Sequence, residues 1–152
     1  MSRSMIPISS DHAGFDLKQI LKSYLDKLGY IVQDYGCTSS KNHVDYPDYA
    51  RFVIGDIMTG RTNYGVLICG SGIGMSMIAN RHNSIRAALC YNVEVARSAR
   101  EHNNANILCL GAKFIDNHTA KVIVESFLTT PFLEGRHRIR VDKLDLSKNE
   151  DL

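Results

Sequence analysis

An excess of charge of either sign is nearly absent from this sequence. Lys and Arg number 18 against 16 Asp and Glu, for a net charge of +2. That balance is too weak to argue for nucleic acid or a membrane surface as partner. Long apolar runs are missing, so no membrane span is expected. The opening Met-Ser-Arg-Ser-Met leads into a short apolar stretch broken by Pro7 and two serines, which does not read as a secretory leader. Cysteine is sparse and unpaired in pattern. Cys37, Cys69, Cys90 and Cys109 show no C-x-x-C spacing and no neighbouring histidine pair, which argues against a structural metal and a disulfide framework. A reducing, cytoplasmic compartment is the expectation. Linkers, internal repeats and low-complexity tracts are also missing. The 152 residues are therefore expected to form one domain, 1–152, with a polar tail over 145–152 that frays.

Short apolar runs alternate with stretches of helical period. Ile6–Ile8, Tyr30–Tyr35, Gly65–Cys69, Ile85–Cys90 and Asn106–Leu110 read as strands. Gly65–Cys69 (G-V-L-I-C) is almost wholly apolar, as a parallel strand covered on both faces requires. Between the runs, Leu17, Leu21, Leu25 and Leu28 share one helical stripe, and Ala50, Val53, Ile54, Ile57 and Met58 share another. Pro47 suits a helix start, Asn92 and Asp116 suit helix caps, and a last basic helix is expected from about Arg136. Five strands alternating with helices predict a three-layer α-β-α sandwich around a Rossmann-like parallel sheet, closed by a C-terminal helix. Ligands in such sheets bind at the carboxyl ends of the strands.

That rule draws attention to particular residues. In Cys69-Gly70-Ser71-Gly72-Ile73-Gly74, alternating glycines leave backbone N–H groups uncovered at a helix start. The turn is an oxyanion or phosphate cradle, or simply a tight connection. A cysteine facing a helix N-terminus becomes a usable thiolate near neutral pH, whereas most free cysteines are small hydrophobes, the reading given to Cys37, Cys90 and Cys109. Asp11 and His12 follow the first strand, where Asp11 either faces a ligand or caps the next helix. His102 has the chemistry of a general acid or base. Arg136 and Arg140, four apart on a helix, suit a phosphate, and equally suit a solvated basic face. His43, His82, His118 and His137 receive no role.

Six motifs occur in order: D-H-A-G-F-D-L-K at 11–18, D-Y-P-D-Y-A at 45–50, C-G-S-G-I-G at 69–74, I-R-A-A at 85–88, H-N-N-A-N at 102–106 and G-R-H-R-I-R-V at 135–141. Together they closely resemble the ribose-5-phosphate isomerase B family, which also holds galactose-6-phosphate isomerase subunits and allose-6-phosphate isomerases. The resemblance runs from Ile6 to about Leu144. It implies an aldose–ketose isomerase that interconverts ribose 5-phosphate and ribulose 5-phosphate through a cis-enediolate, with no metal or organic cofactor. A six-carbon sugar phosphate is the alternative substrate, and a non-catalytic phosphate- or nucleotide-binding module is the alternative class.

By resemblance, Cys69 is the base, Ser71 and the amides of Gly70, Gly72, Ile73 and Gly74 steady the enediolate oxygen, and His102 helps open the furanose ring. Asp11, Tyr46 and Asn103 meet the sugar, while His12, Arg136 and Arg140 meet the phosphate. The family's sites lie between subunits, so a homodimer, or a tetramer of two dimers, with arginines crossing from the partner is implied. A family branch lacking the cysteine carries a glutamate just after the last loop glycine, and here that residue is Met75, which takes no proton. Three departures are visible. Pro7 and Ser9 are expected to weaken or shorten the first strand, Lys113 stands where many relatives have a phosphate-reaching arginine, and Ser71 replaces a threonine found in some members.

Overall fold

The computed structural model describes residues 4–145, so residues 146–152 of the expected frayed tail lie outside the described residues. Eleven elements follow in order: β1 (Met5–Ser10), α1 (Phe15–Lys27), β2 (Ile31–Asp34), α2 (Tyr46–Met58), β3 (Gly65–Cys69), α3 (Ile73–Ala79), β4 (Ala87–Leu89), α4 (Val93–Asn103), β5 (Ile107–Gly111), α5 (Asn117–Thr129) and α6 (Arg136–Asp142). All strand pairings are parallel, in the order β2-β1-β3-β5-β4. The chain reverses its direction of travel across the sheet between β1 and β3, which puts the topological switch point beside Cys69.

Apolar side chains on alternate positions divide between two cores. On one face, Ile6, Ile8, Val66, Ile68, Leu108 and Leu110 pack under α1, α4 and α5. On the other, Leu67, Cys69, Ile107 and Cys109 pack under α2 and α3. Two covered faces explain why G-V-L-I-C is buried throughout. The helical stripes are buried in their middles and exposed at their ends: Leu17, Leu21 and Leu25 are buried on α1 and Ala50, Val53 and Ile54 on α2, whereas Leu28 and Met58 face outward; on α5, Ala120, Ile123, Val124 and Phe127 are buried. Each large side chain so buried contributes about 1.5–3 kcal/mol relative to exposure.

The first strand is neither weak nor short. With six residues it is longer than any other strand. The carbonyls of Ser4, Ile8 and Ser10 accept from Ile31, Tyr35 and Cys37, so even-numbered groups face β2 and odd-numbered groups face β3. The ladder to β3 begins only at Ile8–Val66, one residue past Pro7, where the missing amide has no rung to break. The Thr62 hydroxyl stands beside Met5 O (2.9 Å) and Tyr64 O (3.2 Å) and fills that gap. Ser9 turns toward α2 and donates to Tyr49 O at 2.9 Å, tying helix to strand.

Beyond β2, the chain is pinned to α1 by a buried cation. Lys18, 1% exposed, donates to both Asp34 carboxylate oxygens (2.8 and 2.9 Å) and to Cys37 O (2.9 Å). Lys22 reaches the same carboxylate at 2.6 Å. Burial pushes the Asp34 carboxyl up, but the bonds from Lys18, Lys22 and the Gly36 amide outweigh it and hold it below its ordinary range.

Candidate active site

Asp11 and His12, Tyr46, the Cys69–Gly74 turn and Lys113 converge at the carboxyl edge of the sheet. Cys69 closes β3 and is 5% exposed. The Gly72 N–H donates to its Sγ at 3.1 Å, an interaction that an anionic sulfur accepts most strongly. Burial pushes Cys90 up to about 12 and Cys109 well above its ordinary value, so both remain protonated at neutral pH.

The turn after Cys69 needs its glycines. Gly72 sits at φ +77°, in the left-handed region, and leads directly into α3. At Gly74 the Tyr46 ring leans on the backbone, and a Cβ there would lie 2.5 Å from Tyr46 Cζ. Tyr46 opens α2, so this contact brings a phenol over the loop. The Ser71 hydroxyl accepts from the Ile73 N–H at 3.2 Å. Gly70 O and Cys69 O accept from the Lys113 and Ala112 amides at 3.0 and 2.9 Å. These bonds stitch the end of β5 to the loop, and the Lys113 methylenes run across Gly70.

From β1, buried Asp11 accepts the Gly14 N–H at 3.1 Å and steadies the approach to α1. Asp11 does not cap α1, whose N-cap is Gly14 without a side-chain bond; its carboxylate closes the turn that precedes the helix. His12 Nδ1 accepts the Val44 N–H at 3.1 Å, which leaves Nε2 as the ring's N–H donor. The His43 ring stacks on it with centroids 4.3 Å apart.

A second group sits at the other end of the sheet. Helix α4 runs back from the carboxyl edge, so His102 and Asn103, its last residues, lie at the amino edge. A strand the length of β3 separates the two edges by roughly 16 Å at about 3.3 Å per residue. Cys69 and His102, expected in one catalytic set, are therefore not brought together within a single chain. Arg136 and Arg140 stay with His102. Their helix, α6, packs on α4, its His137 ring stacks on His102 with centroids 4.6 Å apart, and Leu133 N–H donates to Glu101 O at 3.1 Å. Both arginines are exposed. A cavity of about 500 Å³ opens between Asn83, Arg86, Ala99, Asn103 and Leu144, lined by neither arginine. Burial, helped by His102, Arg136 and Arg140, pulls the His137 imidazole below its ordinary value against an opposing pull from Glu101.

Two residues without a sequence-assigned role stack on these groups, His43 and His137, and a third, Lys18, holds the chain that follows β2. Lys18 closes the D-H-A-G-F-D-L-K motif, and His137 lies inside G-R-H-R-I-R-V, so membership of a motif was their signal. His43 carried none, because its partner His12 is remote in sequence. Among the described residues, no group of three or more His, Cys, Asp or Glu side chains is arranged to hold a metal ion, and no helix is long and apolar enough to cross a membrane.

Comparison with known proteins gives consistent results. Residues 6–144 match the family described as ribose/galactose isomerase. A Rickettsia bellii protein bearing a sugar phosphate isomerase name is 49% identical over 140 residues, covering 92% of this chain and 96% of that protein. A solved ribose 5-phosphate isomerase of Thermotoga maritima superposes with a TM-score of 0.93 at 48% identity, covering 96% of this chain and 100% of its own. Ribose 5-phosphate isomerase B of Anaplasma phagocytophilum does so with a TM-score of 0.87 at 50% identity, covering 95% and 98%. A family match over nearly the whole length, on a sheet of the same topology, means that this chain belongs to the ribose/galactose isomerase family.

Proposed function

We propose that this chain interconverts ribose 5-phosphate and ribulose 5-phosphate in sites shared between two copies, with Cys69 as the base. The carrying observation is the Gly72 amide aimed at the Cys69 sulfur, in a fold where Cys90 and Cys109 are held as thiols by burial. The sulfur takes the proton from C2 of the open-chain aldose and returns it at C1. Between these steps the substrate is a cis-enediolate. Its negative oxygen meets the Ser71 hydroxyl and the Ser71 and Gly74 amides, while the Gly72 and Ile73 amides serve Sγ and Oγ. Donors fixed before the charge develops are worth several kcal/mol, because they need no reorganisation. The reading uses no metal and no organic cofactor.

Asp11 and Tyr46 meet the sugar hydroxyls, and the His12 Nε2–H and Lys113 reach toward the phosphate. His102, Asn103, Arg136 and Arg140 come from the second copy, since their own chain holds them at the far edge. His102 then opens the furanose ring and the two guanidinium groups close on the phosphate. The minimal assembly is a homodimer, and a tetramer of two dimers preserves the same sites.

A coupled assay comparing kcat/KM for ribose 5-phosphate, allose 6-phosphate and galactose 6-phosphate tests the substrate. Preference for the pentose is expected, and turnover of none of the three would point to a binding module instead. Cys69→Ala is expected to lower kcat by at least about a thousandfold with an unchanged circular dichroism spectrum. A loss smaller than about tenfold would remove Cys69 from the role of base.

A further inference from the structure

The His102 ring has little to hold it. It is the penultimate residue of α4, its side chain is 45% exposed, and Glu101 Oε2 is 4.0 Å from Nε2, at the outer limit of an ion pair. One contact defines its plane, the face of His137, with rings 4.6 Å apart and inclined by 16°. His137 is itself well placed. With Val141, four residues later, it is one of two buried residues on α6, while Arg136, Arg138 and Arg140 are exposed. These two residues thus form the face by which α6 sits on α4.

We infer that His137 is a positioning residue, whose ring fixes the orientation of His102 and, through α6, the height of Arg136 and Arg140 opposite the neighbouring copy's Cys69. The inference rests on the reading of His102 as the ring-opening group. The charges facing His137 support it. Beyond burial, which disfavours a proton on the ring most, His102 from α4 and Arg136 and Arg140 from its own helix act in the same direction, and Glu101 alone favours one. The ring is thereby kept a neutral stacking surface at neutral pH. A flat neutral ring is what the position needs, so phenylalanine can replace it and alanine cannot.

The test uses proton exchange rather than rate alone. In D2O, deprotonation of ribulose 5-phosphate at C1 by Cys69 and its reversal wash deuterium into unconverted ketose, and this step needs no ring. Delivery of ring-closed ribose 5-phosphate needs His102 as well. The readout is the ratio of deuterated ribulose 5-phosphate to ribose 5-phosphate formed, measured by NMR and mass spectrometry. Misplacing a catalytic group by about 1 Å costs on the order of a hundredfold, so His137→Ala should raise this ratio by at least tenfold. His137→Phe should return it to within about threefold of the parent enzyme. An unchanged ratio in His137→Ala, or the same rise in His137→Phe, overturns the inference. If His137→Ala does not fold, His137→Leu, which keeps bulk without a flat face, takes its place with the same expectations. His102→Ala is run alongside. If it leaves the ratio unchanged, the ring-opening reading falls and takes the inference with it, whereas a rise confined to His102→Ala overturns the inference alone.

Discussion

Mixing two dead subunits should make a living enzyme. Cys69→Ala removes the base at the carboxyl edge and His102→Ala removes the acid at the amino edge, and each homodimer should be nearly inactive. The two edges of one chain are roughly 16 Å apart at about 3.3 Å per strand residue, far beyond the 3 Å or so over which proton transfer operates. If each site takes its sulfur from one copy and its imidazole from the other, a mixed dimer holds one site with both defects and one with neither. Random assembly of equal amounts makes about half of all dimers mixed, with one intact site in two. The mixture should therefore recover about a quarter of parent activity, and mixed dimers isolated through two different affinity tags about half. The subunits are co-expressed, or refolded together from urea, and assayed with ribose 5-phosphate at fixed protein concentration. Purified mixed dimers no more active than the better homodimer would refute the shared site.

Two further outcomes follow from the geometry. Lys18→Met removes one partner of a buried ion pair but leaves Lys22 on Asp34, so the cost should be about 2–4 kcal/mol, below the 3–5 of a fully orphaned charge. Urea unfolding measures this, and a change under about 1 kcal/mol would show that the pair does not stabilise the fold. Because Asp34 is held below its ordinary value, its contribution is present above pH about 4 and is lost as pH falls through the lowered value. The difference in stability between pH 7 and pH 3 should accordingly shrink in Lys18→Met. Lys113→Arg adds a two-pronged donor beside Gly70 and should lower KM for the phosphate ester several-fold. An unchanged KM means that position 113 does not touch the phosphate.

Much of the fold was legible from local pattern. The glycine loop, the helical stripes and the all-apolar third strand each declare themselves within a few residues, because one element's burial is written in its own period. The fourth strand was read as Ile85–Cys90 and is only Ala87–Leu89. At its start the Arg86 N–H donates to the Asn106 side chain at 2.8 Å, so a side chain stands in for the ladder there. The first strand misled in the opposite direction, since the tolerance for Pro7 depends on where β3 begins, and that is a property of another segment. At the site, residue identities were readable and their grouping was harder to see. Strand–helix alternation alone implies that a residue at the end of a helix lies opposite a residue at the end of a strand, which separates His102 from Cys69. The stacks of His43 on His12 and of His137 on His102 join elements that no local pattern connects.

Pro7 acts as a stop on a sliding rule. Two parallel strands of aliphatic residues could shift past each other by one pair of positions and still bury similar side chains. A shift that carried residue 7 alongside Leu67, the place that Ser9 holds, would demand an amide hydrogen that proline does not have. The ring thus locks the level at which Ser10 stands beside Ile68, and with it the level at which Asp11 emerges next to Cys69. A residue that looks like a flaw in a central strand is, in this sheet, what keeps carboxylate and sulfur at one height.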